Sequence, residues 1–291
     1  MTATTLDGEA LATRIRDELR DRVTAVTLAT GTPPGLGTIL VGDDGPSHRY
    51  VSMKHADCEG LGIASFDERL PADATAADVE GVIDRWNADP AIDAVLPQHP
   101  FPAHLDYEAL FRRIDPDKDA DGLHPVNLGR LVMGVDAPRA CTPAGIIEML
   151  HAHQVPVAGH HVVIVGRGLT IGRPLANMLT LKTPDANAAV TVVHTGVADL
   201  GAYTREADVL VAAAGSPGMI TADMVKPGAA VVAAGVSFEG RKVLSDVADE
   251  VADVAGWLSP RIGGVGPMTR AMLMVNTVRA AERRAARAEP V

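Results

Sequence analysis

Tyr50 and Lys54 stand four residues apart within a stretch, Ser47 to about Gly60, whose pattern predicts a helix, so the two side chains share one face. A tyrosine there can stack on or orient a flat aromatic substrate. A lysine taken out of water can shed its proton near neutral pH and do acid–base work. Taken alone, a pair of this spacing is better read as part of a solvated helix face. It needs a second constellation to give it meaning.

Gly166, Gly168 and Gly172 supply one. They follow an apolar run ending at Val165 and precede the apolar segment Leu175 to Leu181, giving G-x-G-x-x-x-G between a predicted strand and a predicted helix. Glycines so placed let the backbone approach a pyrophosphate, to which a helix N-terminus presents unpaired N–H groups and positive partial charge. The next predicted strand ends at His194 and Thr195, with no Asp or Glu to bond the ribose hydroxyls of NAD. Arg167, inside the loop, can meet a ribose phosphate through charge-assisted hydrogen bonds, so NADP is the expected cofactor. Short-chain dehydrogenases use the same Tyr-Lys spacing, but their glycine loop comes first. Here the pair precedes Gly166 by more than a hundred residues, so a separate domain must deliver it.

The elements that carry these residues alternate. Leu11, Ile15, Leu19, Val23 and Val26 recur at helical spacing and predict a first helix ending near Gly31 and Pro33. A strand over Gly37 to Val41 follows, then the Tyr-Lys helix, a strand near Ile63, a helix opening around Thr75 and an apolar run from Ile92 to Leu96. Asp115 to Pro125 is rich in Asp, Gly and Pro and predicts a loop, where function often sits. A second unit opens at Thr142, expected to cap the helix holding Ile146, Ile147 and Leu150, with Pro143 in its first turn. His161 to Val165 and Ala189 to Val193 are expected as fully buried strands, followed by Asp208 to Ala214 and Ala229 to Ala234, a doubly wound pattern. The chain turns helical again after Pro267, and its closing Arg283, Arg284 and Arg287 are expected to be a solvated face.

A length of 291 residues suits two domains, and 47% hydrophobic with 22% charged residues is the make-up of a packed body rather than a disordered chain. The formal charge of −11 disfavours nucleic-acid phosphates and anionic membranes as partners. Cys58 and Cys141 form neither a disulfide framework nor a metal-type pair, so a reducing cytoplasm fits and no metal is expected. The opening residues lack a basic leader and an apolar stretch, and no run is long enough to span a bilayer.

Five segments in one order now carry a resemblance. V-G-D-D-G-P-S-H-R-Y-V-S-M-K (Val41 to Lys54), P-Q-H-P-F-P (Pro97 to Pro102), D-P-D-K-D-A-D-G-L-H-P (Asp115 to Pro125), V-G-R-G-L-T-I-G-R-P (Val165 to Pro174) and G-G-V-G-P-M-T (Gly263 to Thr269) resemble the methylenetetrahydrofolate dehydrogenase/cyclohydrolase family, nearly end to end. The resemblance implies an α/β fold: an N-terminal catalytic, folate-binding domain over 1–140 with a C-terminal helix, 269–291, returning to it, and a Rossmann-type NADP-binding domain over 141–268. It implies a bifunctional enzyme that oxidises methylenetetrahydrofolate with NADP+ and hydrolyses the methenyl product, working as a cytoplasmic homodimer on tetrahydrofolate derivatives. By the same resemblance Lys54 carries the proton chemistry, Tyr50 packs on the folate, Gln98 hydrogen-bonds near the reacting centre and Asp121 holds the pterin. Gly264 and Pro267 then belong to the folate site; Gly166, Arg167, Gly168, Gly172, Thr195 and Val236 belong to the cofactor site. The chain departs from the family at His99 (usually Leu), Ala233 (Asp), Gly168 (often Ser), Gly196 (often basic) and the pair Arg261 and Ile262 before Gly263. With Gly168 and Gly196 in place of a serine and a basic residue, Arg167 and Thr195 are expected to carry more of the phosphate site. The alternatives are another NADP-dependent dehydrogenase of similar architecture and a folate- or nucleotide-binding homologue with weakened turnover.

Overall fold

The computed structural model describes residues 3–240 and 242–288. They cluster into two compact units, and each is taken by itself. One comprises Arg14–Arg130, Asp136–Arg139 and the segment from Leu273 on; the other comprises the segment up to Thr13, Leu131–Val135 and Ala140–Met272.

The elements run β1 (Thr4–Thr5), α1 (Gly8–Thr30), β2 (Gly35–Val41), α2 (Gly45–Leu61), β3 (Ala64–Leu70), α3 (Ala76–Ala88) and β4 (Ala94–Pro97). Next come α4 (Tyr107–Phe111), α5 (Pro125–Val132), α6 (Cys141–Ala152), β5 (His161–Val165), α7 (Gly172–Leu179), β6 (Ala189–Val193) and α8 (Gly201–Thr204). The last are β7 (Val209–Ala212), β8 (Ala230–Ala233), β9 (Val236–Glu239), β10 (Lys242–Ser245), β11 (Trp257–Leu258) and α9 (Val265–Ala288). Both α1 and α9 begin in the second of the two units and continue into the first.

In the first unit three parallel strands pair in the order β3-β2-β4. All seven residues of β2 are buried, as a central parallel strand requires, whereas β3 at the edge alternates between partly buried and exposed. Ile39, Val41, Val82, Ile83 and Trp86 share one core there, each large side chain contributing about 1.5–3 kcal/mol on burial. Helix α3 starts where the sequence places it: Thr75 and Asp78 close a reciprocal capping box. Helix α9 adds to this unit through an ion pair of Arg22 with Glu282 at 2.8 Å and another of Arg284 with the buried Asp93 at 2.7 Å. Arg284 is therefore not part of the solvated face the sequence suggests, whereas Arg287 pairs with Asp117 at 2.8 Å and stays 69% exposed.

The second unit is built on a six-stranded parallel sheet ordered β1-β11-β8-β7-β5-β6. From β5 the chain moves to β6 on one side and then crosses to β7 on the other, which makes the end of β5 a topological switch point. Strands β5, β7 and β8 are buried almost throughout, but β6 is not the fully buried strand its apolar residues suggest. It is the sheet edge, and Val192 is 38% exposed. Thr142 is not the cap of α6 either: Ala140 occupies that position, and the Thr142 hydroxyl lies 3.0 Å from that of Thr269. Among the described residues no helix is long and apolar enough to cross a membrane.

Candidate active site

Helix α2 is a rigid mount for Tyr50 and Lys54. At its start Asp44 accepts from the Ser47 N–H (2.9 Å) and hydroxyl (2.6 Å), and these bonds hold its carboxyl below the usual range. At its end Gly62 takes a left-handed conformation, φ 75°, while the N–H of Ile63 reaches back to the Cys58 carbonyl at 2.9 Å. The buried Cys58 thiol donates to Met274 Sδ at 3.7 Å, and burial pushes its pKa up to about 12, so it is packing rather than a nucleophile.

On this helix Lys54 Nζ donates to Gln98 Oε1 at 2.8 Å. Gln98 follows β4, and its own N–H donates to the Ile39 carbonyl of β2 at 2.8 Å, which extends the strand pairing to the residue that holds the lysine. Its Nε2 donates to the His99 carbonyl at 2.9 Å, which fixes the amide with its oxygen toward the amine. Lys54 and Gln98 are partly buried; Tyr50, one turn before Lys54, is 44% exposed.

Asp121 sits in a loop built by a second aspartate. Asp119, almost wholly buried, accepts from Gly122 N (2.9 Å), His124 N (2.8 Å) and Asn127 Nδ2 (3.0 Å). Burial pushes its carboxyl up against the pull of those donors. Asn276 of α9 donates to the carbonyls of Ala120 (3.0 Å) and Arg139 (2.9 Å), pinning the residue before Asp121. Asp119 has no distinguishing signal in the D-P-D-K-D-A-D-G run, where four aspartates alternate; only the fold decides which carboxylate turns inward.

In the other unit the glycine loop follows β5 at the switch point. Gly166 has φ 132°, and a side chain on it would overlap the Ala213 carbonyl; one on Gly172 would overlap the Gly166 carbonyl. These two glycines are required by backbone packing, whereas Gly168 has nothing nearer than Thr170 Oγ1 at 4.0 Å. Helix α7 opens at Gly172 with no side-chain cap; the Arg173 N–H donates to the Gly168 carbonyl at 3.1 Å and the Leu175 N–H to the Ile171 carbonyl at 2.9 Å, so an anion here would meet the positive end of the helix dipole rather than a row of free donors. Arg167, Thr195 and Gly168 are exposed, as is Val236 at the start of β9. The neighbouring wall, Ala214 to Ser216, is held by Asp246, which accepts their three N–H groups at 2.7, 2.9 and 2.6 Å from a nearly inaccessible position. That carboxylate, too, escaped sequence reasoning, being one Asp in an unremarkable stretch. Gly264 is buried in a turn against the Pro260 carbonyl, and Pro267 lies in the first turn of α9, both in the unit of the glycine loop. Lys54, Gln98, Tyr50 and Asp121 all lie in the other.

Residues 6–121 match the family described as tetrahydrofolate dehydrogenase/cyclohydrolase, catalytic domain, and residues 140–285 match its NAD(P)-binding domain. The "Bifunctional protein FolD" of Syntrophotalea carbinolica is 53% identical over 288 residues, covering 99% of this chain and 99% of that protein. The crystal structure of the bifunctional enzyme FolD, methylenetetrahydrofolate dehydrogenase/cyclohydrolase, from Campylobacter jejuni superposes with a TM-score of 0.92 at 38% identity, over 97% of this chain and 99% of that one. The methylenetetrahydrofolate dehydrogenase-cyclohydrolase (FolD) of Trypanosoma brucei, solved with NADP cofactor and inhibitor, gives 0.90 at 34% identity, over 97% and 98%.

Proposed function

This chain belongs to the tetrahydrofolate dehydrogenase/cyclohydrolase family, and we propose from its geometry how its residues divide the work. The protein is a bifunctional enzyme of folate one-carbon metabolism. It oxidises methylenetetrahydrofolate to methenyltetrahydrofolate with NADP+ and hydrolyses that product to formyltetrahydrofolate.

The contact that carries the assignment of residues is Lys54 Nζ on Gln98 Oε1. In the hydrolysis, a water oxygen bonds to the cationic one-carbon bridge and a ring carbon–nitrogen bond opens; of the water's two protons, one ends on the released nitrogen and the other goes to solvent. Lys54 takes the proton from the water and delivers one to that nitrogen. Gln98 holds the amine in one direction without adding a charge that would trap its proton. Asp121, acceptor-only when ionised, receives the amino and ring N–H donors of the pterin, and Tyr50 lays its ring on the folate. A protein that only bound folate and nucleotide would have no use for an amine held on an amide.

NADP+, when bound, accepts the hydride of the oxidation step. The cradle fits its pyrophosphate: Gly166 and Gly172 keep the backbone bare, and the positive end of the α7 dipole favours the anion. Arg167 and Thr195 take the ribose phosphate; Gly168 and Val236 line the cofactor's path, while Gly264 and Pro267 contribute to the folate side. We assign residues 1–140 and the helix 269–291 to the catalytic domain and 141–268 to the NADP domain. A homodimer in the cytoplasm, with no nucleic-acid partner, completes the reading; two buried free cysteines and a charge of −11 support the last two points.

The deciding experiment offers methylenetetrahydrofolate to the purified protein with NADP+ or NAD+ and follows methenyl and formyl products, with light scattering for the mass in solution. Folded protein that forms no methenyltetrahydrofolate with either cofactor would end the dehydrogenase assignment.

A further inference from the structure

The chain has only 4 phenylalanines and 3 tyrosines in 291 residues, yet five aromatic or imidazole rings join in one place. Tyr107, the first residue of α4, is at the centre. Its ring meets His99 edge-on at 5.1 Å and 86°, meets Phe101 at 5.1 Å and 90°, and stacks on Phe111 at 5.9 Å and 19°. Phe111 continues to His124 at 6.1 Å. The Tyr107 hydroxyl donates to the Pro97 carbonyl at 3.3 Å.

The two ends of this ladder matter. Pro97 and His99 are the residues on either side of Gln98, so one tyrosine holds both flanks of the amide that carries Lys54. At the other end, His124 donates its N–H to Asp119 at 2.8 Å, in the loop that presents Asp121. The His124 ring is itself fixed: its Nδ1 accepts from Val126 N at 3.2 Å, and its Nε2 lies 3.2 Å from the Arg112 carbonyl, a pair that the neutral ring protonated at Nε2 satisfies. Burial, and then the carboxylates of Asp121 and Asp119, push the Tyr107 phenol up, so it remains a hydroxyl and a donor.

We infer that Tyr107 is a positioning residue that couples the Gln98 turn to the Asp121 loop through its contacts with Pro97, His99 and Phe111. In this role it acts through Gln98 and the Asp121 loop rather than on the reacting atoms. It sets where Gln98 holds the amine while the same ring supports the segment that receives the pterin. The assignment of roles to Gln98 and Asp121 rests on the function proposed above, but the mechanical coupling does not.

The test compares Tyr107→Phe and Tyr107→Leu with the parent, measuring kcat and KM for methenyltetrahydrofolate hydrolysis, thermal unfolding, and amide hydrogen exchange at residues 97–99 and 119–124. The phenylalanine keeps the ladder and loses only a long hydrogen bond, so kcat should fall about threefold with KM within about twofold and exchange faster at 97–99 alone. The leucine breaks the ring contacts, so kcat should fall about tenfold or more, KM should rise, and both segments should exchange faster. Parent-like kcat in the phenylalanine variant, together with unchanged exchange at 119–124 in the leucine variant, would overturn the coupling. So would losses that merely track the unfolded fraction. If the parent hydrolyses nothing, the functional reading fails while the exchange arms still decide the coupling.

Discussion

Lys54 Nζ lies 2.8 Å from Gln98 Oε1, and the amide that receives it is turned by its own bond to the His99 carbonyl. Lys54→Met keeps the bulk of the stem and removes the titrating amine. Methenyltetrahydrofolate hydrolysis should then fall roughly a hundredfold or more, as for loss of a positioned acid or base, with the fold intact by circular dichroism. Hydrolysis near the parent rate at several pH values would show that another group moves the proton.

Arg167 is the exposed cation of the glycine loop, and Gly196 offers no second charge. A charge-assisted bond to the ribose phosphate is worth about 1.5–3 kcal/mol, so NADP should be preferred over NAD by roughly tenfold or somewhat more. Arg167→Ala should weaken NADP far more than NAD, and added salt should narrow the parent's preference. The ratio of kcat/KM for the two cofactors reads this directly. An unchanged ratio removes Arg167 from the phosphate site, and a parent that prefers NAD overturns the cofactor assignment.

The three loop glycines should not be equivalent. A Cβ on Gly172 would overlap the Gly166 carbonyl, so Gly172→Ala must move backbone; we expect it to lower the Tm by several degrees and to abolish saturable NADP binding. Gly168→Ala meets only open space and should stay within about 0.5 kcal/mol of the parent in stability. Thermal melts and NADP titration of both variants suffice, and equal damage from the two would refute the distinction.

Asp117 accepts from Arg287 and from Arg130, and these partners hold its carboxyl below the ordinary range. A carboxylate depressed in the folded state contributes fully above its unfolded pKa, about 3.9, and loses that contribution as pH falls through the lower folded value. Because both arginines reach solvent, the contribution should be modest, about 0.5–1 kcal/mol. The parent's Tm should therefore drop between pH 5 and pH 3 by more than that of Asp117→Asn. Equal drops would show that the pairing contributes nothing to acid stability.

What the sequence made legible was whatever neighbours in the chain decide. The apolar run at β2, the Thr75 start of α3 and the strand-glycine-helix order at Gly166 are local patterns, and the structure follows them. Misreadings fall where a partner is distant. The Ala189–Val193 strand has the residues of a buried strand, but its place at the sheet edge depends on what pairs beyond it. Arg284 looks solvated until Asp93, 191 residues away, takes it up. Thr142 has the chemistry of a cap and instead meets Thr269. The short helices α4 and α5 were hidden by the Pro- and Asp-rich stretches that border them. Of the candidate site, Tyr50 with Lys54 and the glycines were readable from spacing. Asp119, Asp246 and Tyr107, which hold the loops in place, show their use only once their donors and ring partners are known.

The interrupted course of the unit that carries Lys54 bears on how the protein is made. Its three-stranded sheet is encoded ahead of most of the six-stranded one, but Asn276, Met274 and Arg284, which seal Ala120, Cys58 and Asp93, are translated after both. Synthesis proceeds at about 5–20 residues per second, and domains generally fold as units from the N-terminus. Here the order reverses: the six-stranded sheet can close while the three-stranded unit still waits for its final helix. During that interval Asp93 has no Arg284 guanidinium and Cys58 no Met274 beside it, and the surface that later buries Met274, Val278 and Ala281 stays uncovered. Folding helpers that bind exposed apolar surface would find their longest-lived target in the three-stranded unit rather than in the six-stranded one encoded mostly after it.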